Sequence, residues 1–196
     1  MTRFNGSWLE LPYATTTKKR KRTLLPCTFT GPPRKGHTTV MADNRMILFG
    51  GRGDDDMAPY DDDVHILDAG SPDPTQWTWR VVEPASGNRV PTSRNHHAAA
   101  MATADIMVVV GGRTCHDCEP LDDAWTYSVK SNTWEQLETL HGPLPRFEAV
   151  AWSVGEGSIR IATGQTYGGE MLNDVWRLEV ASRTKASYVV PWLAFD

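Results

Sequence analysis

The 196-residue chain is predicted to be all-β, and three observations carry that prediction. Short apolar, partly β-branched runs stop at glycine pairs, as in "RMILFGG" and "IMVVVGG". Such runs suit strands buried on both faces. The arrangement also recurs: Arg34, Arg94 and Arg146 open successive stretches 60 and 52 residues apart, and the glycines keep nearly the same spacing. A self-similar period in the fifties is the mark of a repeat architecture. Finally, no segment carries an apolar stripe at helical spacing with caps at both ends.

The elements of one unit follow in a fixed order. A proline-containing lead holds the arginine: "PPRKGHTTVM", "PTSRNHHAAAM", "PLPRFEAVAW". The first strand begins there, and the small residues from Ala98 to Ala100 suit a crowded inner position. A second strand ends at Gly50-Gly51, at Gly111-Gly112 and, in the third unit, at Gly164-Gln165. A polar loop then runs to Asp63, Asp123 or Asp174, whose carboxylate can bond the next backbone N–H as a turn cap. The third strands are "VHILD", "AWTYS" and "VWRLE".

A fourth strand closes each unit on a tryptophan. Trp134 in "NTWEQLE" is the clear case. The first unit offers Trp77 and Trp79, either able to fill the role, with Trp79 counted as the repeat position. In the third unit Tyr188 is expected to substitute, and near the start Trp8 in "SWLELP" looks like a fourth strand without its first three. A buried indole covers roughly 150–250 Å², so one per unit contributes much of the contact between neighbours. These signals divide the chain into a leading strand and basic loop (1–33), two clear units (34–83 and 84–138) and a degenerate third (139–192).

Composition sets outer limits. At 40% hydrophobic and 22% charged, the chain has material for a sizeable core. A formal net charge of −4 gives no global reason to expect nucleic acid. No apolar run approaches the ~20 residues of a membrane helix, so no membrane partner is expected. The opening residues have no apolar core of a signal peptide. Three cysteines, an odd and sparse set, favour a reducing compartment. The contiguous Lys18, Lys19, Arg20, Lys21 and Arg22 suggest nuclear import or a solvated loop, so the expected location is the cytoplasm or nucleus.

The ordered set of Arg-x-x-His before a strand, Gly-Gly after one, Asn/Asp-Asp before a third and Trp in a fourth resembles the kelch repeat. The resemblance covers about residues 34–190 and weakens in the third unit, where Ala149 replaces the histidine and Gln165 the second glycine. It implies a kelch-type β-propeller of four-stranded antiparallel blades. Propellers close with about 4–8 blades, whereas three are legible here. The resemblance therefore implies a partial or few-bladed ring, completed by self-association or by blades from a longer chain. Trp8 is expected to lend its strand to the third unit. His37 and His97 are expected to be hydrogen-bonded structural residues.

In a kelch blade, the loop after the glycines and the loop between blades share one face. That face would gather Arg52, Asp54, Asp55, Asp56, Tyr60, Arg94, Arg113 and Arg146, which we take as contacts for another protein. "DDDMAPYDDD" lacks the alternating D-x-[DN]-x-[DN]-G spacing of a calcium loop, so a solvated turn is the preferred reading over a metal site for Asp54 to Asp63. Cys115, His116 and Cys118 supply at most half of a zinc site, with no second pair in sequence. An ordinary loop is preferred there to a metal site or a disulfide. The kelch-like copper oxidase's Tyr/Cys/His set is not visibly supplied, and Asp61-x₃-His65 has Met57 where an iron-binding motif would need glutamate. No cofactor is expected. The expected function is a non-catalytic protein–protein interaction scaffold; the alternative is a metal-dependent enzyme or metal-binding module.

Overall fold

The computed structural model of the chain describes residues 33–53, 62–138, 142–155, 157–180 and 188–191. Trp8, the basic run at 18–22, Asp54, Asp55, Asp56, Tyr60 and Asp61 lie outside them. The described residues form three antiparallel sheets of four strands, each a blade with its strands in chain order. Blade 1 contains β1 (Thr38–Ala42), β2 (Arg45–Phe49), β3 (Val64–Asp68) and β4 (Thr78–Val82). Blade 2 contains β5 (Ala98–Met101), β6 (Ile106–Val110), β7 (Ala124–Ser128) and β8 (Thr133–Leu137). Blade 3 contains β9 (Val150–Gly155), β10 (Ser158–Ala162), β11 (Val175–Glu179) and β12 (Tyr188–Pro191). Among the described residues the sole helical element is a 3-10 turn at Pro74–Gln76, started by Asp73 accepting from the Thr75 N–H.

The apolar second strands explain how the blades stack. In β6, Met107 and Val109 point to blade 1 while Val108 and Val110 point to blade 3, as the two-residue period of a strand requires. The first interface sets Val40, Ile47, Phe49 and Ile66 of blade 1 against Met107, Val109, Trp125 and Tyr127 of blade 2. The second sets Ala100, Val108 and Ala124 of blade 2 against Ile159, Ile161 and Leu178 of blade 3. The first strands β1, β5 and β9 lie side by side along this stack. Alanines in β5 fit there because the inner strands crowd together.

Trp134 bridges blades as expected: its ring centroid lies 4.9 Å from both Tyr127 of its own blade and Phe49 of blade 1. Strand register then identifies its counterparts. Trp134 lies opposite Tyr127, Trp79 opposite Leu67, and Val189 opposite Leu178. Trp79 rather than Trp77 therefore holds the repeat position. In blade 3 the position belongs to Val189, not to Tyr188, which stands one place away opposite Glu179. Aromatic identity does not reveal an offset of one residue; pairing to the third strand does. β12 supplies the fourth strand of blade 3 from that unit's own sequence, while Trp8, expected to lend one, lies outside the described residues.

Candidate functional site

Antiparallel order puts two kinds of connection on one rim: the loops after the second strands, and the leads that enter each blade. Backbone bridges tie them, Lys35 to Arg52, Asn95 to Arg113 and Phe147 to Gln165. These bridges also align the blades. Gln165 occupies the place of Arg52 and Arg113, so the third unit's glycine pair is Thr163-Gly164, with the first glycine replaced, and not Gly164-Gln165 with the second. Thr163 nonetheless keeps the left-handed backbone of its counterparts, at φ 64° beside 65° for Gly50 and 63° for Gly111.

The glycines are required by the next blade. Gly51 and Gly112 donate their N–H groups, each at 2.9 Å, to the carbonyls of Arg94 and Arg146 in the following leads. A Cβ at Gly111 would stand 2.6 Å from that Arg146 oxygen, inside van der Waals contact. This approach locks adjacent blades at the rim.

The lead arginines are structural. Arg94 is 0% exposed and donates to the Gly111 carbonyl at 3.0 Å and to both oxygens of Asp123 at 2.5 and 2.8 Å. The Trp125 indole donates to the same carboxylate at 2.6 Å. Blade 3 repeats the set: Arg146 donates to the Thr163 carbonyl at 2.8 Å and to Asp174 at 2.6 and 2.7 Å, with Trp176 on Asp174 at 2.6 Å. In blade 1, Arg34 donates to the Gly50 carbonyl at 3.0 Å, and His65 stands where the other blades have Trp125 and Trp176, 3.2 Å from the Arg34 guanidinium. Burial alone would raise the Asp123 carboxyl, but the Arg94 and Trp125 hydrogen bonds outweigh it and hold the group below the usual carboxylate range. At Asp174 the Arg146 hydrogen bonds are the leading effect, and the shift is again downward.

These contacts correct the expected partner surface. Arg94 and Arg146 are buried, each committed to a carboxylate because an unpaired guanidinium in the interior is costly, and Arg52 is buried too. Arg113 remains on the rim, donating to the His116 carbonyl at 2.9 Å with its guanidinium 4.2 Å over the Phe147 ring. Asp63, Asp123 and Asp174 do precede third strands, but Asp123 and Asp174 act as arginine partners more than as turn caps. Sequence reasoning passed over Trp125 and Trp176. The signal was present as D-x-W, in which two residues on one face of a strand place an indole N–H on the carboxylate.

Near the axis, the leads touch through their main chains. His96 N–H donates to the Gly36 carbonyl at 2.7 Å, and Glu148 N–H to the His96 carbonyl at 2.8 Å. Gly36, His96 and Glu148 hold the same place in their leads, all with φ between 55° and 69°. The next residue in blade 2, His97, is buried and hydrogen-bonded to the Thr38 hydroxyl at 2.6 Å. Burial, aided by the charges of Arg94, His37 and His96, lowers its pKa to about 3, so the ring is neutral.

Outside this frame the rim is open. Cys115 and Cys118, expected in an ordinary loop, are instead joined as a disulfide, with Cα atoms 5.1 Å apart. Neither sulfur is then a free thiolate for a metal, and among the described residues no three His, Cys, Asp or Glu side chains converge as a metal group. Beside this loop lies an apolar groove of about 260 Å³, lined by Pro120, Leu144, Pro145 and Tyr167 with Glu119 at its edge. Leu144 and Tyr167 are 57% and 61% exposed. Among the described residues, no helix is long and apolar enough to cross a membrane.

Comparison with known proteins gives these features a setting. A family model described as the KLHDC2/KLHL20/DRC7 Kelch-repeats domain matches residues 5–188. Kelch domain-containing protein 2 of Bos taurus is 30% identical over 132 residues, covering 67% of this chain and 30% of the relative. Adagio-like protein 3 of Oryza sativa subsp. japonica is 27% identical over 162 residues, 82% of this chain and 24% of the relative. The matched region thus spans less than a third of the length of either relative. The solved structure of YjhT superposes with a TM-score of 0.60 at 16% identity, over 79% of this chain and 45% of that one, a likeness of fold.

Proposed function

The chain belongs to the kelch-repeat family, and from that premise we propose that it is a non-catalytic protein-interaction module that receives another protein on its loop rim. Protein binding is the role typical of the family. The observation that carries the reading is the apolar groove of Pro120, Leu144, Pro145 and Tyr167, open among loops that the glycine locks and buried Arg–Asp pairs hold rigid. A rigid rim with exposed aromatic and aliphatic side chains presents a contact surface at small ordering cost. Charge at Arg113, and in the sequence segment that holds Asp54, Asp55, Asp56 and Tyr60, then acts on encounter rate and specificity. The basic run at 18–22 supports a place in the cytoplasm or nucleus.

The test is affinity purification of the chain with variants on opposite rims. Tyr167→Ala, Leu144→Asp and the triple change of Asp54, Asp55 and Asp56 to alanine are expected to release the bound protein. Asn44→Ala and Ala104→Glu, at exposed positions in turns of the opposite rim, are expected to keep it. Release by the second group alone overturns the assignment.

A further inference from the structure

The Cys115–Cys118 disulfide stands in the loop between β6 and β7, whose two ends are fixed to the frame while its middle is not. Arg113 exchanges backbone bonds with Asn95, each at 3.0 Å, and the Leu121 N–H donates to the Gly112 carbonyl at 2.8 Å. Between these anchors, residues 114–120 make no backbone–backbone hydrogen bond among the described residues. Two links shape the span. One is the disulfide; the other is the Arg113 guanidinium, which donates to the His116 carbonyl inside the ring at 2.9 Å.

The bond is placed for exchange more than for holding the fold. It joins cysteines three apart in sequence, and so small a ring takes little freedom from the unfolded chain. The blades pack through their apolar second strands without it. Both cysteines are partly exposed, and the side chains of His116 and Asp117 between them are 61% and 91% exposed, which leaves an approach to the sulfurs. Exposed disulfides are the labile ones. The anchored loop ends keep the two sulfurs close after reduction, so the bond can form again. Glu119 and Pro120, directly after Cys118, line the apolar groove together with Thr166, Tyr167 and Gly168 of blade 3. At the loop's other end Arg113 lies over the Phe147 ring. The disulfide thus sits between a rim cation and an apolar wall.

We propose that Cys115 and Cys118 form a reversible redox site that exchanges with a glutathione-type thiol, and that its state sets the shape of the groove. The second half rests on the groove as the binding site proposed above, and such a thiol is the reductant of the cytoplasm and nucleus. A glutathione thiolate attacks one sulfur of the pair, the S–S bond breaks, and the other cysteine leaves as a thiolate that takes up a proton. A second glutathione attacks the mixed disulfide, frees the first cysteine and departs as oxidised glutathione. Two electrons and two protons pass to the pair, and the reverse sequence restores the bond. With the ring open, the His116 carbonyl is no longer held before Arg113, and Cys118 no longer fixes Glu119. The oxidised rim is a rigid surface; the reduced rim must be ordered on binding, at a cost in affinity.

Two measurements on the full chain test this. After equilibration in glutathione buffers, thiol alkylation and peptide mapping separate Cys115 and Cys118 from Cys27. The two are expected to be reduced together, their reduced-to-oxidised ratio following the squared concentration of reduced glutathione over that of the oxidised form. Amide NMR spectra of the two forms are expected to differ at Thr166, Tyr167 and Gly168, across the groove, and to coincide at Met107 and Val109 in the core. The double change Cys115→Ser and Cys118→Ser is expected to give the reduced spectrum at blade 3 without any reductant. A pair that stays oxidised, or stays reduced, at every glutathione ratio overturns the proposal. So does exchange that leaves residues 166–168 unmoved. Neither readout involves a bound protein, so a failure here is distinct from a failure of the groove to receive one.

Discussion

Gly111 and Thr163 hold the same place in successive blades and share the same left-handed backbone, yet of the two only Gly111 has a following lead pressed against it among the described residues. The turn itself does not demand glycine, since threonine adopts it. The neighbour does: the Arg146 carbonyl needs the room that a Cβ would take. The same contrast runs through the arginine pairs. Arg94 and Asp123, between two blades, have side chains 0% and 18% exposed, whereas Arg146 and Asp174 in the terminal blade are 2% and 37% exposed. A blade enclosed on both sides is held more tightly than the same design at an end.

The comparison breaks first at the glycine. Gly111→Thr adds a left-handed penalty and a steric clash, together a loss of roughly 3–5 kcal/mol, measured by urea denaturation. A loss under about 1 kcal/mol would mean that the neighbouring lead yields freely. Next, Asp123→Asn removes the carboxylate from a fully buried guanidinium and should cost about 3 kcal/mol. Asp174→Asn should cost roughly 1, because water screens the more exposed pair. Equal losses would refute the difference between inner and terminal blades.

Acid sharpens the contrast further, since His97 is confined to the interface of blades 1 and 2. Its folded pKa of about 3 lies below the ordinary 6.5, so the unfolded chain takes up the proton first. Its contribution is complete above pH 6.5 and is lost as pH falls toward 3. The urea midpoint should drop between pH 7 and about pH 5 in the wild type and less in His97→Gln. Parallel drops would remove His97 as the cause. The smallest effect has the opposite sign: Thr163→Gly should relieve the left-handed threonine and stabilise by roughly 1 kcal/mol.

The all-β repeat was legible because strand periodicity, glycine stops and spacing agree across the two clear units. What escaped was pairing at a distance. Arg94 read as a surface charge because its partner, Asp123, lies far along the chain and nothing local announces the bond. Thr163 was hidden because a β-branched residue gives no sign of a positive φ, which moved the third unit's glycine register by one. Tyr188 drew the eye as an aromatic, while the position belongs to Val189. The 115–118 cysteines stand in a loop whose closure depends on backbone shape, which spacing alone leaves open. The groove was missed for a similar reason: Pro120, Leu144 and Tyr167 come from three segments, and only the stacking of blades 2 and 3 joins them.

The axial contacts among Gly36, His96 and Glu148 have a consequence for how such a molecule arises. The link from lead to lead has the same peptide bond at each step, N–H to carbonyl, although side chains as unlike as hydrogen, imidazole and carboxylate occupy the site, and between His96 and Glu148 a side-chain contact of 3.3 Å is added to it. A duplicated unit therefore inherits a working joint at birth, before any side chain has adapted to its new neighbour. Divergence can then proceed on the outward surfaces while the hub stays in register. That ordering, joint first and specificity later, lets blade number change in a lineage without each step passing through an unfolded intermediate.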